Sequence, residues 1–263
     1  MTPKRTDCTM LQLNVNGKKL DDIELIIFDK DGTLFQLYPF CRNMVLRRAQ
    51  AICEALGSAA DRPLYDWLVD LMGVDMAGGR IHPQGPIGVY SRYYAQKMVR
   101  DRLRERGLEI SPEQMRTAFE KADVQINSEE DMRSSILPVP GMEDFVRSLN
   151  GRCKRAILSN DVTPRLVQMA KMFGIEGCFD MIVGGDIVSR HKPDPMGAWM
   201  IMKQLGTAPE TTLLIGDSAL DMEMGYKAGC GHLIAVKSDI TDAGLIASYN
   251  AMLVDDFMGI LVS

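Results

Sequence analysis

The chain has 263 residues, more than one average domain, which predicts a core domain with a smaller inserted module. Hydrophobic residues make up 46% of the chain, and no stretch approaches the roughly 18 apolar residues of a membrane span, so we expect a protein without a membrane contact. A net charge of -5 argues against a nucleic-acid partner, because binding to a phosphate backbone favours a basic surface.

The cysteines and histidines give no sign of a metal-binding motif. The six cysteines contain no C-x-x-C pair and the three histidines lie far apart, which argues against zinc. Reduced, mostly buried cysteines are expected. The first residues show neither a continuous apolar segment nor a small-residue cleavage site, so no secretion signal is predicted and the cytoplasm is the expected location.

The N-terminal part of the chain predicts β-structure. Asn16-Gly17 is typical of a tight hairpin turn. The apolar run 24–28 that follows predicts a buried strand.

Residues 35–136 have helical periodicity and no convincing strand. Helices are predicted at 44–56, at 64–72, around Tyr90, Tyr93, Tyr94 and Met98, and from Ser111, where Pro112 and Gln114 fit a capping box. The proline-rich segment 137–141 then predicts a stiff connection. We therefore predict a smaller helical domain at 35–136 and a core made of 1–34 and 137–263.

Strands and helices alternate through the rest of the chain. Strands are predicted at 155–159, 179–184, 212–217 and 232–236. Helix boundaries are predicted at Thr163 and Gly174, at Asp194 and Gly206, and at Ser218 and Gly229. This alternation indicates an α/β fold, a doubly wound parallel sheet whose ligand site lies at the carboxyl ends of the strands.

The first predicted core strand leads directly into Asp29-Lys30-Asp31-Gly32-Thr33. One carboxylate there can attack phosphorus, and the second can protonate a leaving oxygen and later activate water. The pattern D-x-D-G also occurs in calcium loops, but the preceding apolar strand and the missing downstream glutamate argue against calcium.

Three later segments also follow predicted strands or open helices. Ser159 and Asn160 can hold phosphoryl oxygens, although strand ends also use such residues as simple caps. Lys192 can neutralise charge at a helix start, or it can be a solvated surface lysine. Asp217 and Asp221 would need a divalent cation to relieve their repulsion, and Mg²⁺ suits carboxylate ligands; helix capping is the competing interpretation.

Taken together, the Asp pair, Ser159, Lys192 and the Gly216-Asp217 to Asp221 segment resemble the motifs of the haloacid dehalogenase (HAD) superfamily. The segments 140–142, 183–186 and 192–195 are similar to those of its phosphoglycolate phosphatase-like branch. The resemblance covers nearly the whole chain. It implies a Rossmann-like core with a helical cap.

The resemblance also implies a role for each matching residue. Asp29 would be the nucleophile and a metal ligand. Asp31 would be the acid/base, with its backbone carbonyl on Mg²⁺. Ser159 would hold the phosphoryl oxygen and Lys192 would supply positive charge.

The remaining implied contacts complete the metal and substrate sites. Asp217 would bind the metal, and Asp221 would complete or orient its shell. Thr33 and Asn160 are predicted to bind the substrate.

The spacing of the motifs leaves room for a cap only after the first one. Asp29 and Ser159 are 130 positions apart, whereas Ser159 and Lys192 are only 33 apart. A helical cap of this family type closes over small substrates. In the cap loop 78–84, Arg80 and His82 are candidates for contact with the non-phosphate end of the substrate, with an exposed connector as the alternative.

Lys30 departs from the family pattern, in which the residue between the two aspartates is often apolar. We expect its stem to pack and its amine to stay in solvent.

The predicted activity is Mg²⁺-dependent hydrolysis of a small phosphorylated metabolite, of the phosphoglycolate or sugar phosphate type, through an aspartyl-phosphate. A phosphosugar mutase using the same residues and a non-catalytic phosphate-binding protein remain alternatives. A signalling receiver domain fits the cap-sized insertion poorly, and a dehalogenase would not need Asp31. The oligomeric state is left open between monomer and homodimer.

Overall fold

A computed structural model describes residues 11–57, 61–82, 85–86 and 92–263. The chain forms two compact units, one comprising the chain up to Phe35 together with Pro138–Ser263, and the other Gln36–Leu137. Within the described ranges, no helix is both long and apolar enough to cross a membrane.

Strands and helices are numbered in chain order. The strands are β1 (Leu11–Val15), β2 (Lys18–Ile23), β3 (Leu25–Phe28), β4 (Val74–Asp75), β5 (Arg80–Ile81), β6 (Lys154–Leu158), β7 (Met181–Val183), β8 (Thr212–Gly216), β9 (His232–Val236), β10 (Met252–Val254) and β11 (Ile260–Val262). The α-helices are α1 (Leu37–Ala55), α2 (Arg62–Leu71), α3 (Arg92–Glu105), α4 (Pro112–Ile126), α5 (Glu129–Ser135), α6 (Met142–Ser148), α7 (Thr163–Met172), α8 (Met196–Leu205), α9 (Ala219–Ala228) and α10 (Ala243–Ser248).

The first unit contains a parallel sheet of six strands, in the order β10-β9-β8-β3-β6-β7. All four residues of β3 are buried, which explains why this central strand is an uninterrupted apolar run. Phe28, the last residue of β3, lies opposite Ile157 of β6 and Ile215 of β8. The three strands therefore end at the same edge. The predicted α/β, doubly wound parallel sheet is confirmed, and β10 is an additional strand that the sequence pattern did not predict.

The two faces of the sheet bury different side chains because successive residues of a strand alternate. On one face, Leu25 and Ile27 belong to a core cluster that includes Ala198 and Ile201 of α8 and Met222 of α9. Helices α8 and α9 of this layer are the two helices that the sequence predicts between 194 and 229.

The opposite face of β3 carries an aromatic cluster. The Phe28 ring lies 6.3 Å from that of Phe145 in α6, 6.0 Å from that of Phe179 and 6.4 Å from that of Phe257. Phe145 and Phe257 also contact each other, with ring centroids 5.2 Å apart. Phe28 is fully buried and directly precedes Asp29, so this cluster supports the strand end that carries the first motif.

Outside the large sheet, the predicted hairpin is present. Asn16 and Gly17 turn between β1 and β2 with φ of 50° and 84°, as a tight hairpin turn requires. Strand β11 pairs with β1 and makes a third strand, which the local pattern could not predict because its partner is distant in sequence.

In the second unit, α1 packs against α2, α4 and α5. The predicted capping box of Ser111 and Gln114 is confirmed by both hydrogen bonds. The short antiparallel pair β4-β5 departs from the all-helical prediction.

The helix predicted around Tyr93, Tyr94 and Met98 is present as α3, but the tyrosines do not lie on its buried face. The buried residues are Ala95, Val99 and Leu103, one helical repeat apart, whereas Tyr93 and Tyr94 are exposed. Tyr90 lies outside the described residues.

Two helix starts differ from the prediction. Helix α8 begins at Met196 with Pro195 instead of Asp194 as its N-cap, and the start of α7 is changed by a tertiary contact. The N-cap of α7 is Val162 instead of Thr163, and the Thr163 amide and hydroxyl both donate to Asp186 Oδ1, at 2.7 Å each. A carboxylate from another loop therefore supplies the cap. By contrast, Gly206 and Gly229 end α8 and α9 in the left-handed conformation, as predicted.

We expect Phe28→Ala to lower the free energy of unfolding by roughly 3–5 kcal/mol, because it leaves a cavity in the aromatic cluster. Leu261→Ala is the control, since Leu261 is 62% exposed and should cost less than about 0.5 kcal/mol. Urea unfolding followed by circular dichroism measures both. Equal costs for the two variants would contradict a supporting role for the cluster.

Candidate active site

The predicted site residues of the core follow the strand ends that the sheet aligns. Asp29 follows β3, Ser159 follows β6 and Asp217 follows β8. Because β3 lies between β6 and β8, all three residues begin loops at the same edge of the sheet.

Lys192 connects two of the acids. Its Nζ lies 2.5 Å from Asp29 Oδ1 and 2.7 Å from Asp221 Oδ1, and only 6% of its side chain is exposed. Its backbone N–H donates to Asn160 Oδ1 at 3.0 Å, which fixes the lysine loop to the loop after β6. The surface-lysine alternative is therefore wrong for Lys192.

Asp29, Asp217 and Asp221 form a buried acidic cluster. Each offers one carboxylate oxygen, and these oxygens lie within 4.8 Å of one another. Burial raises the pKa of Asp29 to about 7; Lys192 opposes this rise and Asp221 adds to it. Burial, with Asp221 and Asp29, also raises the pKa of Asp217 well above its ordinary value. A set of oxygen ligands with excess negative charge fits a hard divalent cation.

Asp221 has a second function within the cluster. Its Oδ2 accepts hydrogen bonds from the Ser218 hydroxyl at 2.5 Å and the Ser218 amide at 3.2 Å, forming the capping box at the start of α9. Although burial opposes ionisation, Lys192 and Ser218 hold the pKa of Asp221 below its ordinary value. Helix capping and charge pairing thus occur at the same carboxylate.

Asp217 is held by groups that the sequence did not single out. The Ser238 hydroxyl donates to Asp217 Oδ2 at 2.6 Å, and the Thr241 hydroxyl donates to the Asp217 carbonyl at 2.7 Å. Both belong to the loop after β9. The signal that could have revealed them is their position, since loops at the carboxyl ends of parallel strands share one edge of the sheet.

The expectation for Lys30 is wrong. Its side chain is 1% exposed, and its Nζ lies 2.8 Å from both Asp31 Oδ2 and Asp161 Oδ2. Two carboxylates from different loops replace the solvent that a buried ammonium group loses.

The other residues of the core that were predicted to contact the substrate lie in the loops after β3 and β6: Thr33, Ser159 and Asn160. The Ser159 side chain is buried, and its Oγ accepts a hydrogen bond from the Asp161 amide at 3.2 Å. Thr33 is fully buried, and its hydroxyl has no hydrogen-bond partner among the described residues. The roles of Ser159, Thr33 and Asn160 toward a substrate stay predictions.

Arg80 and His82 belong to the second unit. Arg80 pairs with Asp75 at 3.1 Å, and His82 Nε2 lies 3.1 Å from Asp70 Oδ1. Arg80 lies in strand β5, so the predicted flexible loop is partly a strand, while Pro83 and Gln84 lie outside the described residues. The contact of Arg80 and His82 with a substrate stays a prediction.

We expect Gly32→Ala to destabilise the fold by at least about 2 kcal/mol, because it combines backbone strain with a steric clash. Gly32 has φ of 81°, and a Cβ there would lie 2.0 Å from Asp217 Oδ2. Gly17 has φ of 84° with nothing within 4 Å of its added Cβ, so Gly17→Ala measures the backbone strain alone, about 1 kcal/mol. Urea unfolding compares them, and equal costs would contradict the close approach of Gly32 to Asp217.

The metal-free protein should lose stability as the pH rises. The pKa of the Asp29 carboxyl is about 7 in the folded state, above its value in the unfolded state. Between about pH 4 and 7 the folded state therefore binds more protons than the unfolded state, and the free energy of unfolding falls as the pH rises across that range. With EDTA present, we expect Asp29→Asn to reduce the loss between pH 5 and pH 8 by roughly 1–3 kcal/mol. Urea unfolding at both pH values tests this; the same loss in both proteins would contradict it.

Comparisons with known proteins place the chain in a family. A family model described as haloacid dehalogenase-like hydrolase matches residues 23–229. The phosphoglycolate phosphatase of Aquifex aeolicus is 25% identical over 215 residues, covering 81% of this chain and 85% of the relative. That of Escherichia coli K12 is 24% identical over 214 residues, covering 81% of each chain.

Two solved structures have a similar fold. A predicted phosphoglycolate phosphatase from Haemophilus somnus 129pt has a TM-score of 0.68 at 18% identity, covering 90% of this chain and 96% of its own. CbbY from Rhodobacter sphaeroides, in complex with phosphate, has a TM-score of 0.57 at 21% identity, covering 89% and 95%. The family match includes Asp29, Ser159, Lys192 and Asp217, and it confirms the resemblance drawn from the sequence. The chain belongs to the haloacid dehalogenase-like hydrolase family.

Proposed function

We propose that this protein is a Mg²⁺-dependent phosphatase that hydrolyses a small phosphomonoester, of the phosphoglycolate or sugar phosphate type, through an aspartyl-phosphate on Asp29. The observation that carries the proposal is the buried cluster of Asp29, Asp217 and Asp221 around Lys192 at the carboxyl edge of the sheet. The names of the Aquifex and Escherichia relatives support the phosphoglycolate type. The cytoplasm stays the predicted location.

Asp29 is suited to act as the nucleophile. Lys192 at 2.5 Å orients one oxygen of Asp29 and favours its ionised form, while burial keeps competing water away from the carboxylate. In the first step, an Asp29 oxygen forms a bond to phosphorus and the bond from phosphorus to the ester oxygen breaks.

Asp31 is suited to act as the acid and base. It lies two residues beyond Asp29, and a third of its side chain is exposed, so it can exchange protons with a substrate or water. In the first step Asp31 gives its proton to the leaving oxygen. In the second step it takes a proton from the water that attacks phosphorus, which releases phosphate and restores Asp29.

Lys192 and Ser159 would hold the transferred group. Lys192 is positively charged, because Asp221 and Asp29 raise its pKa above the ordinary value even though burial lowers it. It can therefore offset charge on the phosphoryl oxygens. The Ser159 hydroxyl accepts from the Asp161 amide and retains its own proton for donation to a phosphoryl oxygen.

Asp29, Asp217 and Asp221 would hold Mg²⁺, with the Asp31 backbone carbonyl as a further ligand. When bound, Mg²⁺ supplies positive charge that offsets the mutual repulsion of the carboxylates and the negative charge of the phosphoryl group. Burial raises the pKa values of Asp29 and Asp217, and repulsion from the neighbouring carboxylates adds to the rise. Ser238 would orient Asp217 for this role.

We expect phosphate release from a panel of small phosphomonoesters to require both Mg²⁺ and Asp29. Asp29→Asn should lower kcat/KM by at least about 10³-fold, because the nucleophile is lost. Asp255→Asn is the matched control, since Asp255 has the same chemistry but its side chain is 87% exposed, and it should leave the activity unchanged.

Activity that survives Asp29→Asn would contradict the mechanism. Conversion of a sugar phosphate to its isomer without phosphate release would favour the mutase. Binding of phosphate without turnover of any ester would favour a non-catalytic phosphate-binding protein.

A further inference from the structure

Lys30 lies in the sequence between the proposed nucleophile Asp29 and the proposed acid/base Asp31, and it is one of the least exposed charged residues described, with 1% of its side chain accessible. Its Nζ lies 2.8 Å from Asp31 Oδ2, 2.8 Å from Asp161 Oδ2 and 3.7 Å from the Met169 sulfur. The ammonium group thus joins the loop after β3 to the loop after β6.

The charge of Lys30 is maintained by its two partners. Burial lowers the pKa of a lysine, but Asp31 and Asp161 more than offset this effect, so the pKa of Lys30 lies above its ordinary value. The hydrogen bond from the Lys30 ammonium group to the Asp161 carboxylate joins two charged groups, and such bonds are short and strong. Breaking a buried pair by removing one partner leaves an uncompensated charge, so the arrangement resists distortion.

Asp161 is itself held firmly. Arg165 donates to both of its oxygens, at 3.1 Å and 3.3 Å, and its Oδ1 accepts from the Val162 amide at 2.8 Å. The Asp161 amide donates to Ser159 Oγ. Lys30 therefore ties Asp31 to the same loop that carries the predicted phosphoryl-binding serine.

We propose that Lys30 is a positioning residue that holds Asp31 through Oδ2, so that Oδ1 is aimed at the leaving oxygen of the substrate. The inference rests on the phosphatase function proposed above. A loop carboxylate that is a third exposed can rotate freely unless one oxygen is fixed. Such orientation matters for catalysis, because a misplacement of about 1 Å can cost about 100-fold in rate.

The test uses two substrates that differ in their need for a proton. An alkoxide leaving group must be protonated as it departs, whereas 2,4-dinitrophenolate leaves without a proton. For Lys30→Met we expect kcat/KM to fall roughly 10- to 100-fold on the best alkyl phosphate of the panel and less than about 3-fold on 2,4-dinitrophenyl phosphate. The ratio kcat/KM is used because it reports the steps up to departure of the leaving group.

Three reference variants calibrate the selectivity of Lys30→Met between the two esters. Asp31→Asn gives the selectivity expected when the acid is lost. If Lys30 acts through Asp31, adding Lys30→Met to Asp31→Asn should cost little more on the alkyl ester than Asp31→Asn alone. Lys171→Met removes an exposed lysine of α7 and should leave kcat/KM unchanged for both substrates.

A folding defect does not prevent the test. If Lys30→Met fails to fold, the double variant Lys30→Met with Asp161→Asn removes both members of the buried Lys30–Asp161 pair; the Arg165 guanidinium, which also pairs with Asp161, is 24% exposed and can be solvated. It still frees Asp31 and should show the same selective loss on the alkyl ester.

Equal losses on both esters would overturn the inference, because they would indicate structural support alone. Undiminished activity on the alkyl ester would overturn it as well. An intact protein without Asp29-dependent turnover of 2,4-dinitrophenyl phosphate would overturn the proposed function, and this inference with it.

Discussion

The ion pairs of Lys192 with Asp29 and Asp221 determine how the rest of the site is arranged. At contact distance, opposite unit charges interact by about 4 kcal/mol in a partly screened protein environment, and like charges repel by a similar amount. One ammonium group serves two carboxylates here, while Asp217 depends on the Ser238 hydroxyl, so the buried cluster keeps an excess of negative charge. Burial raises the pKa values of Asp29 and Asp217, and this excess of negative charge adds to the rise. Because of this excess negative charge, the carboxyl edge of the sheet is suited to bind a divalent cation.

The sheet makes this concentration of charge possible. Strands β3, β6 and β8 are adjacent and parallel, so three loops begin within a few residues of one another in space. Two glycines allow the loops to approach one another closely. A Cβ on Gly32 would clash with Asp217, and a Cβ on Gly216 would lie 2.3 Å from the Asp221 Cβ. The buried charges at this edge of the sheet destabilise the fold, and apolar packing on both faces of β3 compensates for that cost. Leu25 and Ile27 pack in the core on one side, and Phe28 packs in the aromatic cluster on the other.

Two buried lysines serve the site in parallel ways. Lys192 lies between Asp29 and Asp221, and Lys30 lies between Asp31 and Asp161. Each ammonium group bridges two separate segments of the chain, so each one both compensates charge and fixes the geometry of two loops. In the proposed mechanism, one lysine orients the nucleophile and the other orients the acid. A buried ion pair contributes little net stability, and conformational specificity is the role we infer for both.

Local signals in the sequence determined the elements and most of the candidate site. Uninterrupted apolar runs predicted β3 and β8, and Asp29 and Asp217 followed from their positions at the strand ends. Ser218 and Gly229 likewise marked α9, because capping depends on adjacent residues. The tertiary structure decided what depends on distant partners. It placed Lys30 against Asp161, Ser238 against Asp217 and β11 beside β1. Whether a lysine lies in solvent or between two carboxylates depends on which loops the fold brings together, and the residue's own neighbours in sequence do not contain that information.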